Sequence, residues 1–194
     1  MTTDPYLNSH TIVWHRNDLR LDDNLTLRTA LAQGDPICAV YILDPFWLAE
    51  DPIGLERCSS LKLAALIAAL QDLSDCYRHI GHELQVRVGD TVAELREIAN
   101  EVNARHIVYS RGKTPYEQDA ELALQQAIGS DIRLIGCWTD VLLCPDAVAN
   151  NAMISLSSFS RFRRRVEKNL EPAPPVDWPA ALNPSPLPPR KIPS

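Results

Sequence analysis

Glycine is scarce in this chain, cysteine is unpaired, and basic charge is in the minority. The 194 residues include 7 glycines, all between Gly34 and Gly136, so the backbone freedom that tight turns need is confined to one stretch. The 5 cysteines, Cys38, Cys58, Cys76, Cys137 and Cys144, are odd in number and contain no C-x-x-C pair. That excludes a dense extracellular disulfide framework and points to a reducing compartment. Lysine and arginine number 19 against 25 acids, a net charge of −6, which excludes indiscriminate polyanion binding by counterion release. No apolar run approaches the ~18 residues of a membrane span, and Met1 to Ser9 is polar, without the charged start and apolar core of an export signal. A cytoplasmic protein is therefore expected. Neither a Walker-type glycine pattern nor a Gly-x-Ser-x-Gly elbow is present, and the histidines lack cysteine or carboxylate neighbours at metal-ligand spacing. No metal and no nucleophile is proposed on this basis.

What is present suits one globular domain: 45% hydrophobic and 23% charged residues. Nine of the 15 prolines fall between Pro172 and Pro193, where missing amide donors and fixed φ oppose helix and sheet. The expected division is an N-terminal extension over 1–9, an α/β domain over 10–171 and a proline-rich tail or linker over 172–194.

Inside the domain, short branched apolar runs at 11–14, 36–43, 83–88, 105–109 and 131–135 predict five strands. Helical spacing separates them, as in Leu63, Leu66, Leu70 and Leu73, then Leu95, Ile98 and Val102. Thr91 and Thr114 stand three residues before Glu94 and Glu117 as capping boxes, and Gly34, Gly81 and Gly129 stand where helices should stop. Alternating strand and helix predicts a doubly wound, mostly parallel five-stranded sheet, Rossmann-like, in the order 3-2-1-4-5, with helices on both faces. The alternation of 83–88 marks it as an edge strand, whereas the continuous apolar run 36–43 reads as interior. A ligand crevice is expected beyond the carboxyl ends of strands one and four, at the loops opening with His15 and Ser110.

Both loops carry charge. In 15–24, Asp23 or Asn24 is a candidate cap for the next helix. Ser110, Arg111 and Lys113 precede a helix starting at Pro115; they read either as an anion site suited to a phosphate or as a solvated loop tip. Residues 161–168 carry a net +4, leaving −10 on the rest of the chain. Arg161, Arg163, Arg164 and Arg165 read as a solvated helix face, a docking surface for an acidic partner, or a nucleic-acid contact. Trp47, on the loop after strand two, is a candidate core residue or partner anchor.

The run Trp14-His15-Arg16-Asn17-Asp18-Leu19-Arg20-Leu21-Asp22-Asp23-Asn24 resembles the opening signature of the photolyase and cryptochrome family. The resemblance continues through Val40-Tyr41-Ile42-Leu43-Asp44-Pro45, Arg57, Gly89-Asp90 and Phe159-Ser160-Arg161-Phe162-Arg163, and spans about residues 10–175. In that family this region is the amino-terminal antenna domain, which binds a deazaflavin, folate or flavin chromophore and precedes a helical domain that holds FAD and docks damaged DNA. The resemblance implies a standalone antenna-type domain without independent DNA repair, with no FAD expected in this chain. Its partner would be an FAD-domain protein, a larger complex or a second copy, with DNA reached only indirectly. Arg16, Asp18, Arg20 and Asp44 are the polar edges it suggests, with Leu55 and Leu61 as apolar walls. Where members often have an asparagine and an acidic residue contacting the pigment, this chain has Ser110-Arg111, which inverts the charge there. A pigment-free interaction or assembly module and a nucleotide-binding α/β protein remain the alternatives.

Overall fold

Strand β2 (Ile37–Leu43) is buried along nearly all its length, because it lies inside a sheet covered on both faces. Its neighbours β1 (His10–His15) and β3 (Gln85–Val88) pair with it in parallel, and β1 pairs on its other side with β4 (Ala104–Ser110), which pairs with β5 (Arg133–Cys137). The order is β3-β2-β1-β4-β5, every pair parallel. The expected fold class is the one found, in a computed structural model that describes residues 9–150, 158–188 and 190–193. Of the extension expected at 1–9, all but Ser9 lies outside the described residues.

Side chains alternate across the sheet, and two cores follow. Val13 packs with Leu27 of α1 (Leu25–Leu31) and with Leu70 and Tyr77 of α2 (Ser60–His79). Ile12 and Trp14 point the other way, to Leu95 and Ile98 of α3 (Thr91–Glu101) and Leu124 of α4 (Pro115–Ala127). Helices α5 (Pro145–Asn150) and α6 (Phe159–Asn169) follow the sheet.

Local chemistry moves several boundaries. Asn24 caps α1, accepting from the Leu27 amide at 2.9 Å. Asp23 instead adopts a positive φ of 47° and exchanges two backbone-directed bonds with Val176. The cap of α3 is Asp90, which accepts from the Ala93 amide at 2.8 Å, so Thr91 is the first helical residue. Helix α2 starts at Ser60, and Arg57 lies ahead of it. Strand β5 sits two residues later than 131–135, because Ile132 closes the preceding turn onto the Gly129 carbonyl.

Strand β3 is an edge, yet its polar residues Gln85 and Arg87 are buried while Val88 is 51% exposed. The chain beyond Glu171 accounts for the first and α3 for the second: Gln85 Nε2 donates to the Leu187 carbonyl at 3.2 Å, and Arg87 pairs with Glu101 at 2.5 Å. This proline-rich segment folds back on the domain. Its Leu182 amide donates to the Ile80 carbonyl, and Leu182, Ile192 and Leu187 pack against the two cores. His82 ties it down. The ring accepts the Ala39 amide at Nε2, so Nδ1 carries the hydrogen that bonds the Asn183 carbonyl at 2.6 Å.

Removing residues 172–194 is therefore expected to cost on the order of 3 kcal/mol, about 10 °C in melting temperature; an unchanged melt would show that these contacts contribute nothing. Burial holds the His82 pKa below the ordinary histidine value, against the Asn183 hydrogen bond and the nearby Glu83. The unfolded chain thus takes up this proton at higher pH than the folded one. Stability should fall as pH drops below about 6.5, and His82→Gln should flatten that slope in melts between about pH 5 and 8.

Candidate functional site

Helix α2 has 20 residues and is about 30 Å long, whereas the seven-residue β2 spans about 23 Å. Running back against the strands, α2 overhangs their carboxyl ends. Its apolar stripe continues past buried Leu73 and Leu70 to Leu66 and Leu63, which face a cavity of about 450 Å³ rather than sheet. The opposite wall is the start of α4, with Tyr116 in its first turn and Ala120 in its second, and the floor is the end of β1 and β2, with Trp14, Tyr41 and Leu43. A short 3₁₀ turn, Pro45–Leu48, completes the rim, begun by Asp44, which accepts from the Phe46 amide at 2.9 Å.

Aromatic rings dominate this rim. Phe46 stacks on Tyr116 at 3.9 Å and 7°, Trp47 meets both edge-on, and the Arg57 guanidinium lies 4.2 Å over the other face of Phe46. Tyr116 donates to Asp44 at 3.3 Å, and Asp44 also receives the Thr91 hydroxyl at 2.7 Å. The same carboxylate therefore joins the rim, α3 and α4.

Of the seven residues expected to hold a cofactor, the structure brings two, Arg16 and Asp44, to the cavity wall, together with Trp47. Arg16 lies 4.7 Å over Trp14 and donates to Glu121 at 2.5 Å and to the Ser110 carbonyl at 3.1 Å. Asp18 is wholly buried beneath its own loop, accepting from the Arg16 amide and from Asn24. Arg20 reaches the Thr139 carbonyl and the Ser110 hydroxyl meets Thr139 Oγ1, both away from the cavity. The crevice takes in both expected loops, with His15, Arg16 and Asn17 after β1 and Thr114 after β4, and extends over the end of β2. Leu55 and Leu61, expected as walls, are 61% and 79% exposed, and Leu63 and Leu66 take that place.

The anion site expected at Ser110, Arg111 and Lys113 is not formed. Lys113 pairs with Asp140 at 2.6 Å, and Arg111 stacks on Trp138 and faces Asp146. The amides that would cradle a phosphate already have carboxylate partners: Gly112 donates to Glu121, and Lys113 and Thr114 donate to Glu117. Thr114 and Glu117 form the expected capping box, so the protein's own acid occupies the helix N-terminus. Burial opposes ionisation of Glu117, but hydrogen bonds from Thr114, Asn17 and Lys113 outweigh it and hold its pKa down to about 2. Asp18 is likewise held at about 2, where burial is outweighed by His15, the Arg16 amide and Thr26.

Arg161, Arg163, Arg164 and Arg165 are exposed on α6 and do not line the cavity. Arg163 pairs with Glu167 at 2.8 Å, and Arg164 bonds the Ser160 carbonyl. Tyr41, Lys62 and Tyr116 are wall residues that the strand, helix and cap patterns did not single out. The one available signal was that the Leu63–Leu66 stripe continues beyond the length of the sheet.

These features define a doubly wound α/β domain with an aromatic cavity over the carboxyl ends of its strands. The chain belongs to the DNA photolyase family, whose model matches residues 11–181. A cryptochrome DASH of Synechocystis is 32% identical over 177 residues, covering 90% of this chain and 36% of the relative. The crystal structure of a Synechocystis cryptochrome superposes with a TM-score of 0.86 at 31% identity, covering 92% of this chain and 37% of that one. A class III photolyase from Agrobacterium tumefaciens gives 0.76 at 27% identity, covering 95% and 37%. The chain thus spans about a third of the length of the curated relatives it matches, such as 35% and 36% for two cryptochromes DASH.

Glu117→Gln is expected to loosen the start of α4 by about 1 kcal/mol in denaturant titrations at pH 7. Because Asp18 and Glu117 titrate lower when folded than unfolded, the stability they contribute is present above about pH 4 and is lost as pH falls toward 2. Asp18→Asn should weaken that acid dependence as well as lower the melting temperature at neutral pH.

Proposed function

We propose that this chain acts as a light-harvesting domain of the photolyase and cryptochrome kind, holding a planar chromophore in the cavity over β1 and β2. The observation that carries this reading is the cavity itself. At about 450 Å³ it lies within the roughly 300–1,000 Å³ of small-molecule sites, and Trp14, Tyr41, Trp47 and Tyr116 give it aromatic walls. Collecting excitation requires no acid, base or nucleophile, only a slot that orients a conjugated ring among apolar surfaces and a few polar edges. Deazaflavin, folate and flavin are the chromophore classes that the family resemblance suggests. The excitation would pass to FAD held by a separate protein or a larger complex, and repair of DNA would belong to that partner.

The basic face of α6, with Arg161, Arg163, Arg164 and Arg165, is the docking surface for such a partner, since the rest of the chain carries −10. Free cysteines suit a reducing, cytoplasmic setting. The nucleotide-binding alternative loses support from the carboxylates that occupy the amides before α4.

The native protein should show an absorption band beyond 300 nm, on the order of the range where conjugated heterocycles absorb and aromatic side chains do not. Ala120→Trp, which fills the cavity from the α4 wall, should abolish that band while leaving the circular dichroism unchanged. A colourless protein that takes up neither deazaflavin, folate nor flavin in titrations would instead favour the pigment-free interaction module.

A further inference from the structure

Strand β2 starts at Ile37, but Val40 is its first residue to pair with β3. The Ala39 amide, one residue earlier, therefore has no strand beside it, and the His82 ring stands in, accepting it at Nε2. On the far side of the ring Nδ1 donates to the Asn183 carbonyl at 2.6 Å. His82 is 1% exposed, so a buried imidazole lies between a part of the molecule that is fixed and one that is not. The fixed part is β2, which is hydrogen-bonded to β1 along its other edge. The other part, 182–188, forms no strand on β3, and Pro184, Pro186 and Pro188 have no amide to donate. Its Leu182 amide bonds the Ile80 carbonyl, its Leu187 carbonyl receives the Gln85 side chain, and Leu182 and Leu187 pack on the cores.

Only the neutral ring suits this arrangement. A second proton would sit on Nε2 and set one N–H against another at Ala39, and the cation would lie out of reach of water. Glu83, next in the chain, favours the cation, but burial outweighs it. Arg78, on the rim of the same groove, is paired with Asp75 at 2.9 Å. Tyr77 of α2, its ring 5.5 Å away, is kept uncharged by burial, as is Cys38 of β2, whose thiol is pushed up to about 12. Residues 183–188 bring no ionisable side chain.

We propose that residues 182–188 are an acid-released strap, which protonation of His82 lifts from the β3 edge while the sheet stays folded. Hydrating the cation requires the ring to be uncovered. From the sheet side that means parting β2 from its neighbours; from the strap side it costs two hydrogen bonds and the packing of two leucines, and the smaller loss decides. Opening uncovers Ile80 and Leu84 and frees the Gln85 side chain, so an apolar edge is presented only in acid. The strap lies at the start of β3, whereas the cavity lies over the carboxyl ends of the strands, so this inference stands apart from the chromophore reading.

Hydrogen exchange of the full chain at about pH 7.5 and about pH 5.5, with each amide rate divided by that of an unstructured peptide at the same pH, tests the strap directly. The Leu182 amide should lose roughly tenfold of its protection in acid while the amides of β1 keep theirs. An NMR titration of the His82 ring should share its midpoint with that loss. His82→Gln, which keeps one donor and one acceptor but does not titrate, should hold the strap closed at both pH values. Glu83→Gln leaves the ring in place and removes the acid that favours the cation, so it should move the midpoint to lower pH. Equal protection of Leu182 at both pH values would overturn the proposal. So would loss of β1 protection in step with it, which is global unfolding, or an acid response that survives His82→Gln in a variant whose β1 amides remain protected.

Discussion

A guanidinium held between an indole and a carboxylate ties the tip of β1 to α4, and the shape of the cavity follows from it. Arg16 lies over Trp14, reaches the Ser110 carbonyl at the end of β4, and pairs with Glu121 on α4. The bridge works together with the Tyr116–Asp44 hydrogen bond and the Phe46–Tyr116 stack to hold the start of α4 over β1 and β2. With it, Tyr116 and Ala120 become a wall and the end of the sheet becomes a floor. Glu121 also receives the Gly112 amide, so the loop between β4 and α4 is drawn into the same arrangement. An added Cβ at Gly112 would stand 2.1 Å from the Glu117 Cβ, which only glycine avoids.

Several acids gather donors at this end of the sheet. Buried acids cost free energy unless they are partnered, and buried Asp18 and Asp44 each collect several donors, as does half-buried Glu117. The aromatic rim of Phe46, Trp47 and Tyr116 gives the hollow its character.

Much of the fold was legible in the residues because it rests on periodicity and punctuation. The unbroken apolar run of β2 and the Thr114–Glu117 capping box are found as read, and β3 takes the edge position its alternation suggested. The site was less legible. Arg111 and Lys113 looked like an anion cradle because sequence shows cations and free amides but not the acids that fold onto them from positions 117, 121, 140 and 146. Gln85 and Arg87 looked solvent-facing because the segment that covers Gln85 lies about a hundred residues away in the chain.

The sequence by itself determined the parallel five-stranded architecture, its order and the family to which it belongs, since short-range hydrophobic patterns and an ordered run of residues suffice for these. Only the tertiary structure decided where the hollow opens, which charges pair around it, and that the proline-rich segment turns back to cover the sheet. Those depend on the length of α2 against β2, and on pairings between residues remote in the chain, such as His82 with Asn183. No local pattern encodes such distances; packing sets them.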